Sequence, residues 1–134
     1  MSESILNNKR ILAVDDEPDV LETLEELLTM AEVSTATGFD KAKALMEGQE
    51  FDIAILDIMG VNGYELLKMA REKKILPVML TAHALTPEDT VRSYEAGAAS
   101  YIPKDKMEDI TTYLNDILEA RDQGQSPWWR WLQR

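Results

Sequence analysis

Residues 51–63 read FDIAILDIMGVNG: a short apolar run, Ile53 to Leu56, stops on a carboxylate, Asp57, and then turns through Gly60 and Gly63. Four apolar residues bounded by turn signals fit a strand buried on both faces. The form recurs along the chain. Ile11 to Val14 stops at Asp15 and Asp16, Pro77 to Leu80 ends at Thr81 and Ala82, and a last short strand from Ser100 to Pro103 leads into Lys104. Val33 to Thr37 is a weaker strand.

Amphipathic stretches lie between these runs. From Pro18 to Ala31, apolar Val20, Leu21, Leu24, Leu27, Leu28 and Ala31 recur at helical spacing, with Glu22, Glu25 and Glu26 between them. Asp40 to Gln49 is a second helix. Asn62, with Glu65 three residues on, has the form of a capping box for a third helix running to Lys74. Thr86, Pro87 and Asp89 suit the cap, first position and early acid of a fourth, which stops near Gly97. Asp105 suits the cap of a fifth, from Lys106 to about Ala120. It has Glu108 at its third position and Met107, Ile110, Leu114, Ile117 and Leu118 on one face.

Five strand–helix pairs predict an α/β fold, because each parallel crossover needs a segment long enough to hold a helix. The chain is too short for a closed eight-stranded barrel. What remains is an open, doubly wound, five-stranded parallel sheet with helices on both faces and the flavodoxin-like order 2-1-3-4-5. Strands one and three then meet at the switch point, outside whose carboxyl ends ligands bind. The polar residues there are Asp15, Asp16, Asp57, Thr81 and Lys104.

Composition sets the bounds. The chain has 134 residues, 45% hydrophobic and 29% charged, which fits one packed domain. Without cysteine there is no disulfide, thiolate metal site or cysteine nucleophile. The start, MSESILNNKR, lacks the form of a signal peptide, and no stretch approaches the roughly 18 apolar residues of a membrane span, so a cytoplasmic location is expected. A net charge of −11 argues against a nucleic-acid binder, since such proteins set Lys and Arg against phosphates.

Across the switch point Asp57 would face Asp15 and Asp16. Three close carboxylates repel one another unless they bind a cation or give up ionisation. An all-oxygen set suits a hard divalent ion, with Mg²⁺ the natural candidate because it keeps waters to exchange for a phosphate. Asp57 as a carboxylate nucleophile, Lys104 as a fixed positive charge and Thr81 as a hydroxyl donor complete the parts for an aspartyl phosphate.

At these residues the chain resembles the receiver domain of two-component response regulators, of the stand-alone, chemotaxis-regulator kind, over roughly residues 9 to 122. The matching pieces are ILAVDDEP, DIAILDIM followed by GYELL, PVMLTA, EAGAASYIPK and the final amphipathic helix. The resemblance implies that Asp57 accepts a phosphoryl group from a phosphohistidine of a histidine kinase or phosphotransfer protein. It further implies that Asp15, Asp16, Asp57 and the Met59 backbone carbonyl hold Mg²⁺, that Thr81 and Lys104 bind the phosphoryl oxygens, and that the Tyr101 rotamer follows Thr81. Such a protein is a switch that changes its partner-binding surface, through the fourth helix, fifth strand and fifth helix, and not an enzyme beyond its own phosphotransfer and dephosphorylation.

Two departures stand out. The link from Asp57 to Gly63, IMGVN, is two residues shorter than in most relatives, and Lys104 is followed by Asp105 where many receivers carry proline. His83, the one histidine, is read either as an exposed loop residue or as a modulator of hydrolysis. Residues 1–122 form the receiver and 123–134 a linker and tail, WWRWLQR, whose Trp128, Trp129 and Trp131 fold back onto the receiver or serve as a docking tag. No room is expected for an output domain. Two alternatives are a haloacid-dehalogenase-type phosphohydrolase, which usually needs a second Asp where Met59 stands, and a receiver-like scaffold that is not phosphorylated.

Overall fold

Ile11 to Val14 and Ile53 to Leu56 are all buried, so both runs must be covered on two sides. In the computed structural model, which describes residues 6–57, 62–81 and 100–122 with single helical positions at 88 and 95, they are the central strands of a parallel sheet. The strands are β1 (Arg10–Val14), β2 (Glu32–Ala36), β3 (Ile53–Asp57), β4 (Leu76–Thr81) and β5 (Ser100–Pro103). Helices α1 (Pro18–Leu27), α2 (Phe39–Gly48), α3 (Gly63–Glu72) and a final helix (Ile110–Asp122) alternate with them. The sheet order β2-β1-β3-β4-β5 is the one expected from the sequence.

The strand period of two assigns each side chain to a face. Ile11, Ala13, Ile53, Ile55, Val78, Leu80 and Ile102 meet α1 and the final helix through Val20, Leu21, Leu24, Ile110, Leu114 and Leu118. Leu12, Val14, Ala54, Leu56, Met79 and Tyr101 meet α2 and α3 through Ala42, Met46, Leu66, Leu67 and Ala70. Each fully buried Leu or Ile contributes about 1.5–3 kcal/mol by leaving water. The central strands are therefore fixed by burial on both sides.

Register places the strand ends together. Val14 pairs with Ala36 and Leu56, Asp57 with Leu80, and Thr81 with Pro103. Asp15, Asp57, Thr81 and Lys104 thus emerge side by side at one edge of the sheet.

Helix ends depart from the sequence reading where backbone geometry decides. Helix α1 stops at Leu27, short of Ala31, because the chain must turn to pair Glu32 with Arg10 at the start of β2. Asn62 stands before α3 in the left-handed region, φ 55°, and its side chain makes no capping bond, so the expected capping box does not form. A capping side chain needs extended backbone at that residue. The start predicted at Asp105 and Lys106 is also corrected. Lys104–Asp109 is made of 3-10 turns broken at Lys106, φ −109° and ψ 16°, with no side-chain cap, and the α-helix begins at Ile110. Lys104 is tied to the carboxylates while Ile110 is buried, and short 3-10 turns with a break at Lys106 carry the chain between these two anchors. Of the predicted fourth helix only Glu88 and Glu95 are described, both helical.

Candidate functional site

Asp15, Asp57 and Thr81 are the buried polar or charged side chains among the described residues, at 0%, 5% and 7% exposure, and all three stand at carboxyl ends of strands. Carboxylates at such depth need partners. Lys104 supplies one. Its Nζ lies 2.9 Å from Asp15 Oδ2, 3.8 Å from Asp57 Oδ1 and 3.7 Å from Glu17 Oε1, with 14% of the lysine side chain exposed.

The backbone holds this group in place. The Asp15 N–H donates to the Ala36 carbonyl at 3.1 Å, and the Glu17 N–H donates to Asp15 Oδ1 at 2.8 Å. Burial works against the Lys104 ammonium, but the close approach of Asp15 and the charges of Asp15, Asp57 and Glu17 outweigh it and hold its pKa above the ordinary lysine value. Tyr101, 4% exposed, lies on the same sheet face as Thr81, and its registered partner Met79 is two residues before that threonine. Burial and the neighbouring Tyr113 push the Tyr101 phenol up from its usual value.

The sequence therefore predicts Asp15, Asp57, Thr81 and Lys104 at one end of the sheet, and the structure places them there. Asp16 is exposed beside Asp15. Glu17 carries no role in the sequence reading, although it stands within ILAVDDEP, because its carboxylate is recruited by a lysine 87 residues later. Met59, His83, Trp128, Trp129 and Trp131, with the 123–134 tail as a whole, lie outside the described residues.

The donor set fits a hard cation. Asp15 Oδ2 is fully buried and has its ion pair but no hydrogen bond of good geometry, and carboxylate oxygens of Asp15, Asp16 and Glu17 lie within 4.8 Å of one another. All donors are oxygens, the chemistry of Mg²⁺ or Ca²⁺ sites and not of zinc. Among the described residues no helix is long and apolar enough to cross a membrane.

The family model for the response regulator receiver domain matches residues 11–115. Among curated proteins, the DNA-binding response regulator MtrA of Mycolicibacterium smegmatis is 32% identical over 72% of this chain and 44% of its own length. The regulatory protein VanRB of Enterococcus faecalis is 31% identical over 71% of this chain and 45% of its own. The chain thus spans about half the length of the curated relatives it matches. Among solved structures, the response regulator TrrA of Thermotoga maritima, in complex with Mg²⁺ and beryllium fluoride, is 31% identical with a TM-score of 0.70, over 81% of this chain and 98% of that one.

Proposed function

The chain belongs to the response regulator receiver domain family, and on that premise we propose that it is a phosphorylation-operated switch whose phosphoacceptor is Asp57. Receiver domains of response regulators are signalling modules that work with histidine kinases and output domains. The observation that carries the assignment is the Lys104 ammonium set between Asp15 and Asp57 at the ends of adjacent strands β1 and β3.

An oxygen of the Asp57 carboxylate attacks the phosphorus of a phosphohistidine, forming the P–O bond as the P–N bond breaks and the imidazole leaves with that electron pair. Lys104 stands within 3.8 Å of the acceptor oxygen, where its charge stabilises the added phosphoryl oxygens. Thr81, beside it on β4, offers a hydroxyl donor to one of them. Asp15, Asp16 and Asp57, with the Met59 carbonyl, would hold Mg²⁺, which when bound supplies charge neutralisation to the transferring group. The fixed positions of Asp15 and Lys104 orient the acceptor before the donor arrives.

Output then runs through Thr81 on β4 and Tyr101 on β5, which share a sheet face. Movement of Thr81 toward phosphoryl oxygens changes the space open to the Tyr101 ring and so the surface around β5 and the final helix. The DNA-binding activity in MtrA's name belongs to that protein. The family match lends nothing to the phosphohydrolase alternative.

Incubation with acetyl phosphate or phosphoramidate, with and without Mg²⁺, followed by intact-mass measurement is the test. The native protein should gain one phosphate only with Mg²⁺, and Asp57→Asn none. An adduct that persists in Asp57→Asn sinks the assignment, and no adduct on the native protein favours the non-phosphorylated scaffold.

A further inference from the structure

Glu17 is the N-cap residue of α1, with extended backbone at φ −97° and ψ 109°, yet its side chain makes no capping hydrogen bond. An N-cap side chain ordinarily accepts from the second or third helical N–H. Pro18 at the first helical position removes one of the N–H groups needing a partner. The Glu17 carboxylate instead reaches across to Lys104 at 3.7 Å, while its own N–H grips Asp15 Oδ1.

We infer that Glu17 is a positioning residue that shares the Lys104 ammonium with Asp15 and Asp57 and yields it when an anionic group is carried on Asp57. This rests on the reading of Asp57 as acceptor given above. The three carboxylates around the lysine differ in what release would cost. Asp15 has no exposed surface, so it cannot give up its counterion cheaply. The Glu17 side chain is 62% exposed and can trade the lysine for water. Besides Asp57, the lysine therefore has one permanent partner and one releasable partner. While Glu17 holds its share, the lysine's charge is partly spent before an anion arrives, and the same carboxylate repels that anion. Glu17 raises the threshold for switching without touching the acceptor.

Two measurements test this. With saturating Mg²⁺, beryllofluoride affinity followed by calorimetry should be roughly threefold tighter in Glu17→Gln, the scale of an exposed ion pair. Mg²⁺ affinity alone should stay within about twofold on the same scale. Equal beryllofluoride affinity overturns the inference, and joint weakening of Mg²⁺ and beryllofluoride binding makes Glu17 a cation ligand instead. The second measurement is a double-mutant cycle on urea unfolding of metal-free protein, combining Glu17→Gln with Lys104→Met. A non-zero coupling is expected, and additivity of the two changes overturns the tether. If native protein takes up no beryllofluoride, the phosphoacceptor reading fails, while the metal-free cycle still decides whether Glu17 holds the lysine.

Discussion

Asp15 has no contact with solvent, so the charge it carries depends on Lys104, 2.9 Å from its Oδ2. Removing one partner of a buried pair leaves an uncompensated charge, and Lys104→Met should lower metal-free stability by about 3–5 kcal/mol in urea unfolding. Mg²⁺ should restore part of this loss, since a cation at the acidic group replaces the missing ammonium; identical losses with and without Mg²⁺ would contradict that exchange. The pair also sets a pH window. Because the folded pKa of Lys104 is raised, its stabilisation is fully present below the unfolded value of about 10.4 and is lost as pH climbs through the higher folded value. The Tyr101 phenol, raised by burial, loses stability in the same alkaline window. Unfolding midpoints should therefore fall above about pH 10, and fall less steeply in Lys104→Met, where only the tyrosine contribution remains.

Helix α3 shows how an element can end against its own sequence. The Ile75 N–H bonds the Ala70 carbonyl at 2.8 Å and the Lys74 N–H bonds Arg71 at 3.1 Å, the two bonds of a Schellman turn, with buried Ile75 as its apolar contact. Lys74 occupies the position usually given to glycine, at φ 63°. A left-handed residue with a Cβ costs on the order of 1 kcal/mol, so Lys74→Gly should raise stability by about that amount while Lys74→Ala gains nothing; a destabilised glycine variant would show that the Lys74 side chain contributes something else. The apolar strands were legible because burial on both faces leaves only one kind of residue. Helix ends were less legible: Asn62 and Glu65 have the letters of a capping box, and the backbone at Asn62 overrides them. The 3-10 segment was invisible for a related reason, as it answers to an anchor at Lys104 and not to periodicity. The grouping of Asp15, Asp57, Thr81 and Lys104 was legible because each member ends or follows a strand. Glu17 was not, since its meaning comes from a lysine across the sheet.

At the scale of the molecule, charge is unevenly spread. Between residues 11 and 40 lie nine acidic residues and no basic one, within a chain of net charge −11. Asp16, Glu17, Asp19, Glu22, Glu25 and Glu26 are the exposed acids of the first loop and α1, and of these only Glu17 pairs with the lysine and only Asp16 and Glu17 belong to the carboxylate cluster beside it. Such a face should repel itself, and salt should raise stability by screening over a Debye length of about 8–10 Å. Mg²⁺ does this too, so a rise in melting temperature with MgCl₂ does not by itself demonstrate a site. The distinction lies in comparing MgCl₂ with NaCl at equal ionic strength. Screening alone predicts the same rise for both, whereas binding to the folded form adds a term that grows with the logarithm of free Mg²⁺ above its dissociation constant. Asp16→Asn removes one carboxylate of the Asp15, Asp16 and Asp57 set proposed to hold Mg²⁺ and one of the nine acidic charges between residues 11 and 40, so it should reduce the Mg²⁺-specific term strongly and the NaCl response only slightly. If Asp16→Asn and Glu26→Gln, a change in the last turn of α1 outside the carboxylate cluster, reduced the Mg²⁺ response equally, the ion would be responding to the face as a whole and not to the carboxylates at the strand ends.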